Sequence, residues 1–241
     1  MPPPALSSPH TSRLTIRQAS RNVGEPDDTG PGESSGILDA GLATEQYVPV
    51  MAPVPGRPVV AHELPPGLEI RVECSADHPS VSTVVAAAFG SPEEARLVEA
   101  VRASAEFVPE LSLVADIDGQ IVGHVMISYA TIRDVKAQHR VAVLAPLAVA
   151  PGFQRRGVGS ALVRRVTARA DERGEPLVVV QGSPVFYGRL GFEYSVPHDI
   201  HMTLPSWAPA EASQVLRLGS YTASIRGQVV YPPAFDVVTE Q

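Results

Sequence analysis

The sequence predicts a mixed α/β sheet flanked by helices, preceded by a disordered Pro-rich tail. Three observations carry this reading. The first 68 residues hold 12 of the 24 prolines and 7 of the 19 glycines, with almost no periodic apolar pattern. From Leu68 onward, short alternating or continuous apolar runs interleave with stretches of helical period. One junction in that region, "FQRRGVGSAL" at Phe153–Leu162, places a glycine-rich turn between a buried strand and a helix. The expected division is therefore a tail over 1–67, a folded domain over 68–236 and a short C-terminal tail over 237–241.

Composition narrows the function classes. Of 241 residues, 44% are hydrophobic and 19% charged, ordinary for a globular domain. No apolar run approaches the ~20 residues of a membrane helix, so no membrane role is expected. "MPPPALSSPHTSRLTIRQAS" lacks the apolar core of a secretory signal, and a cytoplasmic location is expected. A formal net charge of −7 argues against sequence-independent nucleic-acid binding, which needs basic surface. Cys74 is the single cysteine and cannot form an intramolecular disulfide; a small buried hydrophobe is its default role.

The elements follow in order. In the tail, "VPVMAPVPGRPVV" cannot sustain a helix and buries too little to offset its ordering entropy. "LEIRVE" (68–73) alternates as a strand. "PSVSTVVAAAF" (79–89) and "SPEEARLVEAVRAS" (91–104) read as helices, the second with Ser91 as N-cap and Glu93 and Glu94 complementing its dipole. "LSLVADI" (111–117) and "QIVGHVMISYA" (120–130) form a hairpin through Asp118-Gly119. "RVAVLAPLAVA" (140–150) is a central strand buried on both faces. A helix is expected over Arg155–Arg173, ended by Gly174, then a buried strand "PLVVVQG" (176–182), a short helix and "GFEYSV". "DIHMTLP" and "YTASIRGQVVYPP" are the last expected strands.

The strand–turn–helix junction carries the chemistry. The first amides of a helix have no intrahelical acceptor, and the dipole there favours anions. Gly157 and Gly159 let a ligand approach the backbone, and Arg155 and Arg156 add positive charge at the rim. These are the properties of a diphosphate site. The spacing matches neither a Walker loop nor a dinucleotide fingerprint.

Gln154-x-x-Gly157-x-Gly159 after a buried strand resembles the acetyl-coenzyme A pyrophosphate loop of the GNAT superfamily of N-acetyltransferases. "SPVFYGRLGF" (183–192) resembles that superfamily's later F-Y-x-x-x-G-F motif, about thirty residues downstream. The resemblance spans roughly residues 68–236. It implies a GNAT-like, mostly antiparallel sheet and an enzyme that moves acetyl from acetyl-coenzyme A to an amine by direct transfer. The alternative is a non-catalytic acyl-coenzyme A sensor of the same fold. The implied partner is a small-molecule or peptide amine, the implied assembly a monomer or homodimer, and no metal is expected.

The resemblance also assigns roles. The backbone of Leu147, Ala148 and Val149 holds the pantetheine arm, with one amide polarising the thioester carbonyl. Pro146 marks the point where this strand splays from its neighbour. The amides of Gln154, Arg155, Arg156, Gly157, Val158, Gly159 and Ser160 hold the pyrophosphate. Tyr187 protonates the departing thiolate; its plain alternative is packing beside Phe186 and Phe192. The strand segment Val141–Ala150 has no acidic residue to serve as base; His124 is one candidate base or substrate ligand, and a water chain is the alternative route for the proton. Asp116 and Asp118 read as turn residues. His198 and His201, read as i and i+3 of a strand, would diverge and bind no metal together. Trp207, Tyr231 and the connection Phe89–Pro92 are further candidates for the lining of the acceptor site.

Overall fold

A computed structural model describes residues 64–238. The expected N-terminal tail therefore lies, up to residue 63, outside the described residues, as do residues 239–241. Nine strands and four α-helices are laid down in the order β1 Leu68–Val72, α1 His78–Phe89, α2 Glu93–Arg102, β2 Phe107–Ile117, β3 Gln120–Arg133, β4 Gln138–Val149, α3 Val158–Glu172, β5 Leu177–Gln181, α4 Pro184–Gly188, β6 Glu193–Tyr194, β7 Ile200–His201, β8 Ser213–Arg217 and β9 Gly227–Val230.

The main sheet runs β1-β2-β3-β4-β5-β8-β6, and β9 joins the far end of β3 and pairs with β7. Every pairing along the main order is antiparallel except β4 with β5. The β2–β3 hairpin turns at Asp118 (φ 51°) and Gly119 (φ 85°), the left-handed pair that a tight two-residue turn demands.

Side chains sort onto two faces because successive strand residues point oppositely. One face packs Val114, Met126, Ala130, Val141, Val143 and Ala148 under α1 and α2. The other packs Val125, Ile127, Ala142, Leu144, Val178 and Val180 under α3, through Val158, Leu162 and Val166, with Tyr187 of α4 at its edge. Helix α3 keeps the predicted apolar stripe and stops at Gly174 (φ 78°).

Five expectations are corrected. Helix α3 begins at Val158, not Arg155, because Arg155 (φ 59°) and Gly157 (φ 82°) are left-handed and cannot join a right-handed helix. Strand β8 was not foreseen: its buried Ser213 and Gln214 are polar and hide the alternation. "DIHMTLP" contributes only Ile200 and His201 to a strand. Cys74 is exposed just after β1, where its amide donates to Asp77 Oδ2 at 2.8 Å. Ser91 accepts the Glu93 amide at 3.1 Å but stands one residue before the N-cap, which is Pro92, because the helix begins at Glu93; Glu94 is buried and its carboxylate does not face solvent.

Candidate active site

The site is built where β4 parts from β5. Their parallel pairing consists of Ala142–Val178 and Val143–Val179 alone. On its other side β4 continues against β3, with Leu147 opposite Val125, Ala148 opposite His124 and Val149 opposite Gly123. Between these runs Ala145 and Pro146 stand together opposite Met126, a bulge at a residue that has no N–H to donate. Among the described residues, Leu147, Ala148 and Val149 thus have a strand on one side and none on the other.

Three elements converge on that bare edge. A Cβ added at Gly159, in the first turn of α3, would lie 3.5 Å from Val149, 3.7 Å from Phe186 of α4 and 3.9 Å from Leu147. Glycine at 159 is what permits this approach. Gln154 ties the loop back to the strand, its side-chain amide donating to the Val149 carbonyl at 3.1 Å. The Ala161 amide reaches the Gly157 carbonyl at 3.0 Å. The amides of Val158, Gly159 and Ser160 therefore fall in the turn whose N–H groups lack helical acceptors. Arg155 and Arg156 are exposed on the rim, Arg156 lying 5.7 Å above the Phe153 ring. Uncovered amides, a helix N-terminus and two cations suit an anionic diphosphate.

Tyr187 sits at the β5 end of the splay. It is 4% exposed and wedged edge-on between Phe186 (4.9 Å) and Phe192 (5.2 Å). Burial pushes its hydroxyl well above the usual tyrosine range, so the phenol keeps its proton. Its ring lies against Gly182, directly after β5.

His124 is elsewhere. It faces α1 and α2, on the side of the sheet opposite Tyr187, and is fully buried. Its Nε2 lies 3.1 Å from Ser112 Oγ and 3.2 Å from Glu73 Oε2, while buried Nδ1 has no hydrogen-bond partner. Arg102 grips Glu73 through two bonds of 3.0 and 2.7 Å. Burial of the imidazole lowers its pKa from 6.5. Burial of the Glu73 carboxyl pushes its pKa up, but the hydrogen bonds and charges of His124 and Arg102 outweigh this and hold it down at about 2. Sequence reasoning singled out His124 but missed Glu73, Arg102 and Ser112, because 29 and 12 residues separate the pairs and no local pattern links them.

The remaining candidates have local duties. Asp116 pairs with Arg71 at 2.9 Å and accepts the Gly119 amide at 2.7 Å. His198 ends a 3₁₀ turn rather than lying on a strand and pairs with Glu193 at 2.8 Å; His201 pairs with Asp199 at 3.1 Å. Tyr231 is buried and accepts from Gln181 at 2.9 Å, whereas Trp207 is exposed. Among the described residues no helix is long and apolar enough to cross a membrane.

The acetyltransferase family described as "Acetyltransferase (GNAT) domain" matches residues 69–195, more than half of the chain. The chain belongs to the GNAT superfamily of N-acetyltransferases. Among its GNAT relatives, the uncharacterized N-acetyltransferase YhbS of Escherichia coli K12 is 32% identical over 169 residues, 69% of this chain and 98% of that one. YjhQ of the same organism, also named an uncharacterized N-acetyltransferase, is 36% identical over 117 residues; the match spans 48% of this chain and 65% of YjhQ. The crystal structure of E. coli YhbS in complex with CoA superposes with a TM-score of 0.63 at 31% identity, covering 73% of this chain and 96% of that one. A GNAT acetyltransferase from Brucella melitensis in complex with acetyl-CoA gives 0.57 at 29% identity, covering 70% and 97%.

Proposed function

We propose that this GNAT protein transfers acetyl from acetyl-coenzyme A to the amine of a small molecule or peptide, directly and without a covalent enzyme intermediate. The observation that carries the reading is the splay of β4 from β5, with the open N-terminus of α3 at its mouth. The solved relatives that bind CoA and acetyl-CoA support it.

The residues fit the co-substrate. The amides of Gln154–Ser160 hold the pyrophosphate, and the bare edge of Leu147, Ala148 and Val149 hydrogen-bonds the pantetheine arm as an added strand would. Acetyl-coenzyme A supplies a thioester carbonyl whose C–S bond breaks as a C–N bond forms to the amine. A strand amide aimed at the carbonyl oxygen stabilises the charge developing there, worth ~3–4 kcal/mol for one such donor. Tyr187 gives its proton to the departing sulfur. His124, on the α1/α2 side, receives the proton that the amine gives up. Placing donor and recipient of protons on opposite faces of the sheet lets one thioester be attacked and released without the two groups competing for one position.

Calorimetric titration of acetyl-coenzyme A into the purified protein tests the binding half, with Gly157→Glu as control. The substitution places a negative charge where the pyrophosphate is held and a side chain at a φ of 82°. Binding that the wild type shows and a folded Gly157→Glu variant loses supports the reading. A wild type that binds no acetyl-coenzyme A overturns it.

A further inference from the structure

Around His124 the buried side chains Glu73, Arg102 and Ser112 form a cluster to which the acetyl-transfer reading gives no role. Glu73 follows β1, its amide donating to the Ser112 carbonyl at 3.0 Å. Its carboxylate is taken side-on by Arg102: Nε to Oε1 at 3.0 Å and a terminal nitrogen to Oε2 at 2.7 Å. The other terminal nitrogen of Arg102 donates to Glu99 Oε1 at 2.6 Å. The Arg102 and Glu73 side chains are only 6% and 3% exposed, so neither can swing away to water.

Three imidazole states are available, and the surroundings discriminate among them. If Nδ1 carried the proton, bare Nε2 would face the Glu73 carboxylate lone pair to lone pair at 3.2 Å, and a buried N–H would have no acceptor. An imidazolium would leave the same orphaned N–H, and the anion it needs is already neutralised by Arg102. With the proton on Nε2, that N–H donates to Glu73 Oε2 and can share Ser112 Oγ, while bare Nδ1 costs least to leave unpaired. Arg102 and, more weakly, His78 at the start of α1 also disfavour the imidazolium, and the apolar Val114 and Ala148 stand opposite His124 on β2 and β4.

We infer that Glu73, held by Arg102, fixes His124 as the Nε2–H tautomer and leaves Nδ1 as the proton acceptor for the incoming amine. The inference rests on the acetyl-transfer reading, and in it Glu73 is a positioning residue: it touches the base and not the substrate. His124 stands directly opposite Ala148, in the strand segment proposed to hold the thioester, and the small Ala145 and Ala148 side chains share its face of the sheet. The amine passes one proton to Nδ1 as its nitrogen bonds to the carbonyl carbon. The existing Nε2–H bond to Glu73 keeps that proton where it is, so the ring can accept at Nδ1 alone.

The test uses the full chain labelled with ¹⁵N. A two-bond ¹H–¹⁵N correlation spectrum between pH 5.5 and 8, with His124 assigned by its loss in His124→Gln, reads the tautomer without any substrate. The expected result is a neutral ring protonated at Nε2 throughout. Glu73→Gln, whose amide can present an N–H to Nε2, should populate the Nδ1–H form. A wild-type Nδ1–H tautomer, or a ring charged at pH 7, overturns the inference whatever acetyl-coenzyme A does. Turnover is then followed by thiol release with glycinamide, phenethylamine, spermidine and a lysine-containing peptide. With whichever amine reacts, His124→Gln should lower kcat at least ~100-fold, the usual scale of a general base, with the KM for acetyl-coenzyme A within twofold. An unchanged kcat in His124→Gln, or a wild type that binds acetyl-coenzyme A yet acetylates none of the four, also overturns it. Failure of the wild type to bind acetyl-coenzyme A strikes the acetyl-transfer reading instead.

Discussion

Replacing Gly182 with alanine tests whether Tyr187 is placed by packing. A Cβ at 182 would fall inside the van der Waals envelope of Tyr187 Cε2, 3.0 Å from Cδ2 and 3.5 Å from Cζ. Neighbouring carbons need ~3.5–4.0 Å, so the ring must retreat by about 1 Å. Phe186 and Phe192 stand edge-on against it at 4.9 and 5.2 Å and block that retreat. Overpacking of this kind costs ~1–3 kcal/mol, read as a lowered urea midpoint with an unchanged slope. The same displacement moves the phenol relative to the sulfur it is proposed to protonate, and a 1 Å misplacement can cost ~100-fold in rate. Acetyl-coenzyme A affinity should hold within a few-fold, because the proposed cradle is made by α3 and β4. A variant as stable and as active as the wild type would refute the reasoning, since it would mean that Gly182 does not set the ring's position.

Two further outcomes follow from the site's chemistry. Tyr187→Phe should lower kcat by ~10²–10³ while leaving acetyl-coenzyme A binding intact by calorimetry; because burial holds the hydroxyl above its ordinary value of 10.0, Tyr187 should add no alkaline limb to the wild-type pH profile below pH 10. Stability should fall on acidification in two stages. Below about pH 6.5 the unfolded chain protonates His124 while the folded chain resists, and between 4.5 and about 2 the same holds for Glu73. In both windows the unfolded state binds more protons, so stability rises with pH. The Glu73 step is worth about 3 kcal/mol in full; urea midpoints from pH 7 to 3 should show about 2 kcal/mol of it, diminished in Glu73→Gln.

Much of this protein was legible in its sequence because the relevant signals are local. The apolar run at 140–150, the Asp118-Gly119 turn and the stripe Val158, Leu162, Val166 each report a backbone requirement within a few residues. The glycines at 157 and 159 likewise announce a helix start that a ligand can approach. What the sequence could not display is anything set by pairing across distance. Strand β8 takes its place between β5 and β6 by ladder hydrogen bonds, which polar Ser213 and Gln214 make as well as apolar residues do. The two faces of the sheet part His124 from Tyr187, a separation that follows from alternation along β3 together with the helices each face receives. The Glu73–Arg102–His124 cluster exists only because β1, α2 and β3 bring side chains from residues 73, 102 and 124 into one buried space. Local sequence decides which backbone shapes are allowed; burial, which turns a scattered glutamate, arginine and histidine into one coupled unit, is a property of the assembled fold.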